Sequence, residues 1–170
     1  MIPAVPRLGN LPSVWRLKST PVFAVMLGSV TTALPVVSQS PSMPPFGLLV
    51  LLAWRLLHPE IWVLWIGVPL GAFDDIMSGQ PVGTSMLLWS LVMLGIEFID
   101  QRIFWRDYWH DWLIVLGALC LCMGGGLMIG HWSGSRTPLI LVVPQIIWSA
   151  LSYPLIVRLI ARLDRWRIMA

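Results

Sequence analysis

The sequence contains few charged residues. Lys, Arg, Asp and Glu together make up 11% of the 170 residues, whereas about 25% is usual for a soluble domain. Hydrophobic residues make up 57% before any glycine is counted, against about 45–50% with glycine in soluble domains. A soluble fold of this size has too little interior to bury so much apolar surface. The composition therefore predicts an integral membrane protein, and it excludes a secreted domain, a cytosolic enzyme and a disordered tail.

The residues that usually carry catalysis or metal binding are also scarce. Cys120 and Cys122 lie two residues apart in an apolar stretch. On a helix this spacing points them about 200° apart, which excludes a shared metal or a disulfide between them. His58, His110 and His131 fall in three different predicted loops, and no HExxH, Walker A, GxSxG or CxxC pattern occurs. We therefore predict no catalytic site, no metal site and no cofactor.

Six apolar stretches are candidates for membrane helices, which need about 17–25 mostly apolar residues. The second, Pro44–Leu57, is short and carries Arg55. Either it brings Arg55 to the membrane surface or it forms a tight hairpin with the third helix. We predict a cytoplasmic tail over residues 1–21, one six-helix transmembrane domain over 22–160 and a basic cytoplasmic tail over 161–170. The six stretches are Val22–Val37, Pro44–Leu57, Ile61–Met77, Val82–Ile99, Trp112–Gly130 and Pro138–Ile160.

The basic residues indicate how these helices are oriented. With six spans and the N-terminus inside, all of the 11 Lys and Arg residues except Arg136 lie on the inner side. An excess of Lys and Arg is typical of cytoplasmic loops. It predicts that both termini are cytoplasmic, and it explains the pI of about 9.4 without nucleic acid binding. Tryptophans at predicted helix ends, Trp54 among them, are expected at the level of the lipid headgroups.

The last predicted helix ends in a basic patch. Arg158, Arg162 and Arg165 follow the spacing i, i+4 and i+7 and share one helical face, with Arg167 next to it. This pattern favours an anchor on the anionic lipids of the inner leaflet. A docking patch for a protein partner is the alternative.

Small residues mark two of the predicted helices. Gly67 and Gly71 form a GxxxG pair in the third, and Gly126 and Gly130 form another in the fifth. In a membrane such pairs permit two helix backbones to approach closely. We predict that both pairs form seams between helices of the same chain.

The acidic residues of the apolar stretches lie near helix ends. Asp74 and Asp75 are near the outer end of the third helix, and Glu97 is near the inner end of the fourth. A proton- or ion-coupled carrier needs such groups at the membrane midplane, so their position argues against a pump. Asp75 follows Gly71 by one turn, and Ser78-Gly79-Gln80-Pro81 then reverses the chain.

Among these acidic residues, Asp75 has the clearest predicted structural role. We predict that it accepts hydrogen bonds from the free amides at the start of the next helix, where the helix dipole also favours a negative charge. A contact with a partner or a ligand on the outer rim is the alternative.

The stretch from Pro44 to Gly83 carries the most specific pattern. A proline opens a short apolar helix that contains tryptophan near its end and is followed by proline. The next helix reads G-x-x-x-D-x-x-x-G-x-x-x-G. This pattern resembles the MreD family of bacterial rod shape-determining membrane proteins, and the last helix, with Tyr153-Pro154-Leu155 and its basic end, is similar as well. Ala53 stands where the family often has Tyr, and the rest of the chain matches only in hydropathy and topology. The matching positions are Pro44, Trp54, Pro59, Gly71, Asp75, Gly79 and Gly83.

The resemblance implies a non-enzymatic inner-membrane subunit of the complex that synthesises lateral peptidoglycan. Its implied partners are MreC, MreB, RodA and a peptidoglycan transpeptidase. The family resembles, in fold, the substrate-binding subunits of energy-coupling-factor vitamin transporters, so the implied architecture is an all-α polytopic bundle of about six transmembrane helices. A vitamin-type binding subunit of a transporter is the alternative function. It would need a cavity lined by polar side chains and open to the outside, and the predicted outer loops are short and poor in such groups.

Overall fold

The computed structural model describes residues 14–33, 43–102, 108–132, 134 and 142–169. Within these ranges the chain forms six α-helices and no β-strand, which confirms the predicted all-α class. One 3₁₀ turn follows α1 and two precede α3. The helices are α1 (Val14–Val30), α2 (Phe46–Leu57), α3 (Gly67–Ser78), α4 (Thr84–Asp100), α5 (Tyr108–Trp132) and α6 (Val142–Met169).

Side-chain contacts between helix termini define two ends of the bundle. At one end, which we call the Arg55 end, α2 and α4 terminate together because Arg55 pairs with Glu97. At the other, the Asp75 end, α3 terminates where α4 begins. The start of α6 also lies near the start of α2, since the Gln145 side-chain amide donates to the Met43 carbonyl at 2.9 Å. Helices α2, α4 and α6 therefore run in the same direction along the bundle, and α3 runs opposite to them.

Helix α2 lies at the centre of the bundle. Nine of its 12 residues are buried, and it packs against α1 and α6. A helix that is apolar on all sides suits a fully buried position. Trp54 is 0% exposed, so the expectation that it lies among lipid headgroups is wrong. It belongs to the core because its helix is enclosed by others over its whole length.

The third predicted helix, Ile61–Met77, is shorter than expected. The α-helix begins only at Gly67, and residues 59–66 form two 3₁₀ turns separated by extended backbone at Trp62 and Val63. Pro69 explains the late start, because in a longer helix its ring would clash with the carbonyl of Trp65 four residues earlier. In the first turn the missing N–H of Pro69 costs no hydrogen bond.

Helices α1, α5 and α6 extend beyond the limits predicted from the sequence. α1 begins at Val14, within the predicted tail, and α6 continues through the basic patch to Met169. α5 begins at Tyr108, so His110 and Asp111 lie in its first turn and not in a loop, and His131 lies in its last turn. Arg, Lys and Trp are compatible with a helix, so these helices continue past the apolar stretch into their polar flanks. α5 and α6 are long and apolar enough to cross a membrane.

The two predicted GxxxG pairs differ in how closely another helix approaches them. A Cβ atom on Gly67 would lie 3.2 Å from backbone atoms of Ser90, which places this residue in a tight seam between α3 and α4. The same atom on Gly126 would have no neighbour within 4 Å among the described residues. None of the described residues therefore forms the predicted seam at Gly126. The close contact of α5 lies at the adjacent Gly125, which faces Leu88 of α4.

Candidate functional site

The turn between α3 and α4 holds the most specific polar contacts of the Asp75 end. Asp75 is 1% exposed. Its Oδ2 accepts from the backbone N–H of Gly83 at 2.7 Å, and its Oδ1 accepts from the N–H of Ser85 at 2.7 Å. The structure therefore contains the contact that the sequence predicts between Asp75 and the start of the next helix.

Asp75 acts as the N-terminal cap of a helix to which it does not belong. The N-cap residue of α4 is Gly83, which has no side chain to satisfy the first amides. Serine, threonine or aspartate usually supplies that oxygen from the cap position itself. Gly79 and Gly83 have φ values of 68° and 103°, a region that residues with a Cβ rarely adopt. These two glycines allow the reversal that places α4 above Asp75.

Gly71 lets the two helices come close enough for this cap. A Cβ atom at this position would lie 2.6 Å from the Met86 nitrogen and 2.6 Å from the Ser85 carbonyl oxygen. Both neighbours are backbone atoms of the first turn of α4. The position of Asp75 relative to the amides of α4 thus depends on the absence of a side chain one turn earlier.

A second set of polar contacts, which the sequence did not predict, extends this site to α1 and α2. The Ser85 hydroxyl donates to Asp74 Oδ2 at 3.1 Å. Asp74 Oδ1 and the Ser29 hydroxyl both lie against Gly47, and Gly47 in turn packs on Gly28. Four helices therefore meet around two small residues and two carboxylates. Gly28 and Gly47 lie on separate helices and form no GxxxG, so only the pairing of small residues near two helix ends could have indicated this crossing.

The Arg55 end is organised by a buried ion pair. Arg55 Nη2 lies 2.7 Å from Glu97 Oε2 and 3.2 Å from Asp100 Oδ2. The Arg55 side chain is 3% exposed, whereas that of Glu97 is 45% exposed. Of the two alternatives predicted for this helix, the one in which Arg55 reaches the membrane surface is therefore wrong, because the two acids compensate its charge inside the bundle. Helices consecutive in the chain run in opposite directions, so α2 and α4 end on the same side of the bundle, and Glu97 and Asp100 could have been recognised as partners.

A histidine and an aspartate join α2 to α6 near the same end. His58 Nε2 lies 2.9 Å from Asp164 Oδ2. Asp164 is 7% exposed and faces the bundle, although it lies among the arginines of the basic patch. The sequence indicated neither residue as a structural partner, because they lie far apart in the chain and each was assigned to a separate flank.

The residues of the Pro44–Gly83 pattern do not form one site. Gly71, Asp75, Gly79 and Gly83 meet at the Asp75 end. Pro44 is buried and directly precedes Pro45, the N-cap of α2. Trp54 and Pro59 lie towards the opposite end, where Pro59 begins a 3₁₀ turn. The basic patch is on the surface: Arg158, Arg162 and Arg165 are exposed on α6, and the side chain of Arg167 is outside the described part.

The comparisons with known proteins bear on this arrangement. The family model described as rod shape-determining protein MreD matches residues 15–165. The chain belongs to the MreD family. The predicted resemblance is thus confirmed, and the chain is a rod shape-determining membrane protein of a family that is not known for enzymes. No curated protein and no solved structure matches the chain. The match extends from α1 almost to the end of α6, so it includes both ends of the bundle.

Proposed function

We propose that this MreD-family protein is a non-enzymatic inner-membrane subunit of the bacterial cell-elongation complex. In this role it binds MreC and scaffolds MreB, RodA and a peptidoglycan transpeptidase during lateral peptidoglycan synthesis. The family match over residues 15–165 carries the proposal. We also propose that all six helices span the membrane in the fold of the energy-coupling-factor binding subunits, with both termini in the cytoplasm.

The contacts at the two ends of the bundle support a scaffold. Polar contacts at the Asp75 end link α3 to α4, where α1 and α2 also pack closely at Gly28 and Gly47. At the Arg55 end, side-chain pairs link α2 to α4 and α6. Directional contacts at both ends hold helices in one arrangement, which a surface for partner proteins requires. The grooves of the described part are lined mainly by apolar residues, whereas a vitamin site would need converging polar groups.

The surface of α5 is the best candidate for the contact with MreC. Gly28, Gly47, Gly67 and Gly71 are all packed against other helices of this chain. On α5, a Cβ atom at Gly117 would meet nothing within 4 Å among the described residues, and the same is true of Gly124. Exposed large residues lie on either side of them, at Leu113, Leu121 and Met128. Small residues between large ones allow a partner helix to approach closely.

The basic patch supports a contact with the membrane surface. Arg158, Arg162 and Arg165 are exposed, and each basic residue near an anionic leaflet contributes about 1 kcal/mol. We propose that the patch rests on anionic lipids of the inner leaflet. Arg165 also hydrogen-bonds the carbonyl of Ala161 through Nε at 3.3 Å.

Affinity purification from native membranes tests the proposed role. The full-length protein should copurify with MreC and restore rod shape to cells that lack their own copy. Copurification with an ATPase module, together with thermal stabilisation of the purified protein by a vitamin, would instead support the transporter function.

A further inference from the structure

A long apolar groove of about 770 Å³ lies between α1 and α6 on the side of the bundle. Phe23 and Leu27 of α1 form one wall and are 64% and 73% exposed. Leu159 of α6 forms the other wall and is 62% exposed, and Val50 of the central helix lies between the two walls. The groove is therefore a largely apolar channel between two helices, with exposed hydrophobic side chains on both walls.

Polar groups line this groove at the Arg55 end. Arg162 and Trp166 of α6 contribute to it, together with Ser19 and Thr20 of α1. No carboxylate of the described residues lies within 4.0 Å of the Arg162 guanidinium, in contrast to Arg55. Tryptophan is typical of the headgroup level. The groove thus combines an uncompensated positive charge at the membrane surface with an apolar path towards the interior.

The length of the groove distinguishes between possible occupants. From Ser19 to Thr31 it extends about 18 Å at 1.5 Å per helical residue. The apolar part of one leaflet measures about 15 Å, half of a 30 Å hydrocarbon core. One acyl chain fills such a length, whereas a partner helix would have to cover the full thickness of the membrane.

We propose that the groove between α1 and α6 binds one anionic phospholipid of the inner leaflet. Its phosphate contacts Arg162, its headgroup lies beside Ser19 and Trp166, and an acyl chain lies between Leu27 and Leu159. The site extends the proposed contact between the basic patch and anionic lipid, on which it rests. It differs from a general anchor because one arginine and one groove select the lipid.

Native mass spectrometry of the full-length protein in detergent, titrated with phosphatidylglycerol or phosphatidylcholine, tests this site. Arg162→Gln should weaken phosphatidylglycerol binding about five-fold, and Arg162→Lys should restore most of it. Arg158→Gln is the matched control, since Arg158 is exposed one turn away and does not line the groove. Leu159→Trp should reduce binding by filling the groove, whereas Leu155→Trp, on an exposed position outside it, should not.

Three results would overturn the groove site. Equal losses for Arg158→Gln and Arg162→Gln would leave only the general contact of the basic patch. Equal binding of both lipids would contradict the patch as well as the groove. Crosslinking of a protein to a photoreactive residue at Leu27 in native membranes would show a partner helix in the groove. The thermal stability of each variant without added lipid should match the unmodified protein, and copurification of MreC tests the scaffold role separately.

Discussion

Arg55 and Glu97 form an ion pair in which one partner is buried and the other is half in solvent. The Nη2 to Oε2 distance is 2.7 Å, yet the Arg55 side chain is 3% exposed and that of Glu97 is 45% exposed. Removing one member of a buried pair is costly mainly when the remaining charge stays buried. The effect of a mutation should therefore depend on which partner is removed.

Neutralising both acids should destabilise the protein more than replacing the arginine. Glu97→Gln combined with Asp100→Asn leaves the Arg55 charge buried without a partner, at a cost of about 3–5 kcal/mol in the free energy of unfolding. Arg55→Met leaves Glu97, whose side chain is 45% exposed, able to turn towards solvent and should cost less. Thermal unfolding in detergent measures both, with Arg158→Gln as a neutral control. A larger loss for Arg55→Met would mean that packing of the arginine stem outweighs its charge.

The two hydrogen bonds of Asp75 determine how stable the Asp75→Asn variant should be. Asn keeps the size and shape of Asp, so a purely steric role of Asp75 would tolerate it. In the structure both carboxylate oxygens accept from backbone N–H groups, and Asn would turn an N–H₂ donor towards one of them. We expect Asp75→Asn to cost about 1–3 kcal/mol of unfolding free energy and Asp75→Leu to cost more.

Asp74→Asn is the matched comparison for Asp75→Asn. The Ser85 hydroxyl, which donates to Asp74, can rotate to accept instead, so the loss of stability should be smaller. If Asp75→Asn keeps its stability and inserts normally but no longer retains MreC, a charged partner contact at the turn is favoured over a structural role.

Substitutions of the glycines in α3 and α4 should differ strongly in how much they destabilise the protein. Gly71→Leu should destabilise more than Gly67→Ala, because the Cβ at position 71 meets backbone of α4 at 2.6 Å whereas that at 67 meets it at 3.2 Å. Overpacking of this kind costs about 1–3 kcal/mol or more. Gly95→Ala is the control: it has open space and should stabilise α4 by about 0.5–1 kcal/mol. The midpoint of thermal unfolding should therefore be lowest for Gly71→Leu, higher for Gly67→Ala and highest for Gly95→Ala.

Substitutions on the proposed partner face of α5 should reduce MreC binding without reducing the stability of the protein. Gly117→Leu and Gly124→Leu should reduce copurification of MreC, since each fills a space that a partner helix would occupy. The unfolding temperature should remain close to that of the unmodified protein, because a Cβ atom at either position meets no described residue of this chain within 4 Å. Normal MreC retention by both variants would place the partner on another surface.

Cysteine labelling can establish the orientation. On a background without Cys120 and Cys122, single cysteines near Gln39, Gly79 and Ser133 should react with an impermeant reagent from outside, and cysteines in either tail should not. Replacing Arg158, Arg162 and Arg165 with Gln should leave this pattern unchanged, because the excess of inner Lys and Arg remains large. A C-terminus accessible from outside would contradict the proposed six spans.

Composition and local spacing were sufficient for part of this architecture. The helical class, the turn at Gly79 and the position of Asp75 next to the following helix all follow from patterns within about ten residues. The pairs Arg55–Glu97 and His58–Asp164 join residues 42 and 106 positions apart, so they depend on how whole helices pack. The late start of α3 could be predicted only in part. Pro69 indicates it locally, but the continuous apolar stretch suggested one long helix.

The central position of α2 also has a consequence for biogenesis. A 12-residue helix that contains an arginine partitions poorly into lipid by itself. The first of the two acids that compensate its charge, Glu97, is 42 residues further along the chain. At a translation rate of about 5–20 residues per second, that partner emerges roughly 2–8 s later. We therefore expect α2 to remain in the translocation machinery, or to be held by it, until α4 has been synthesised.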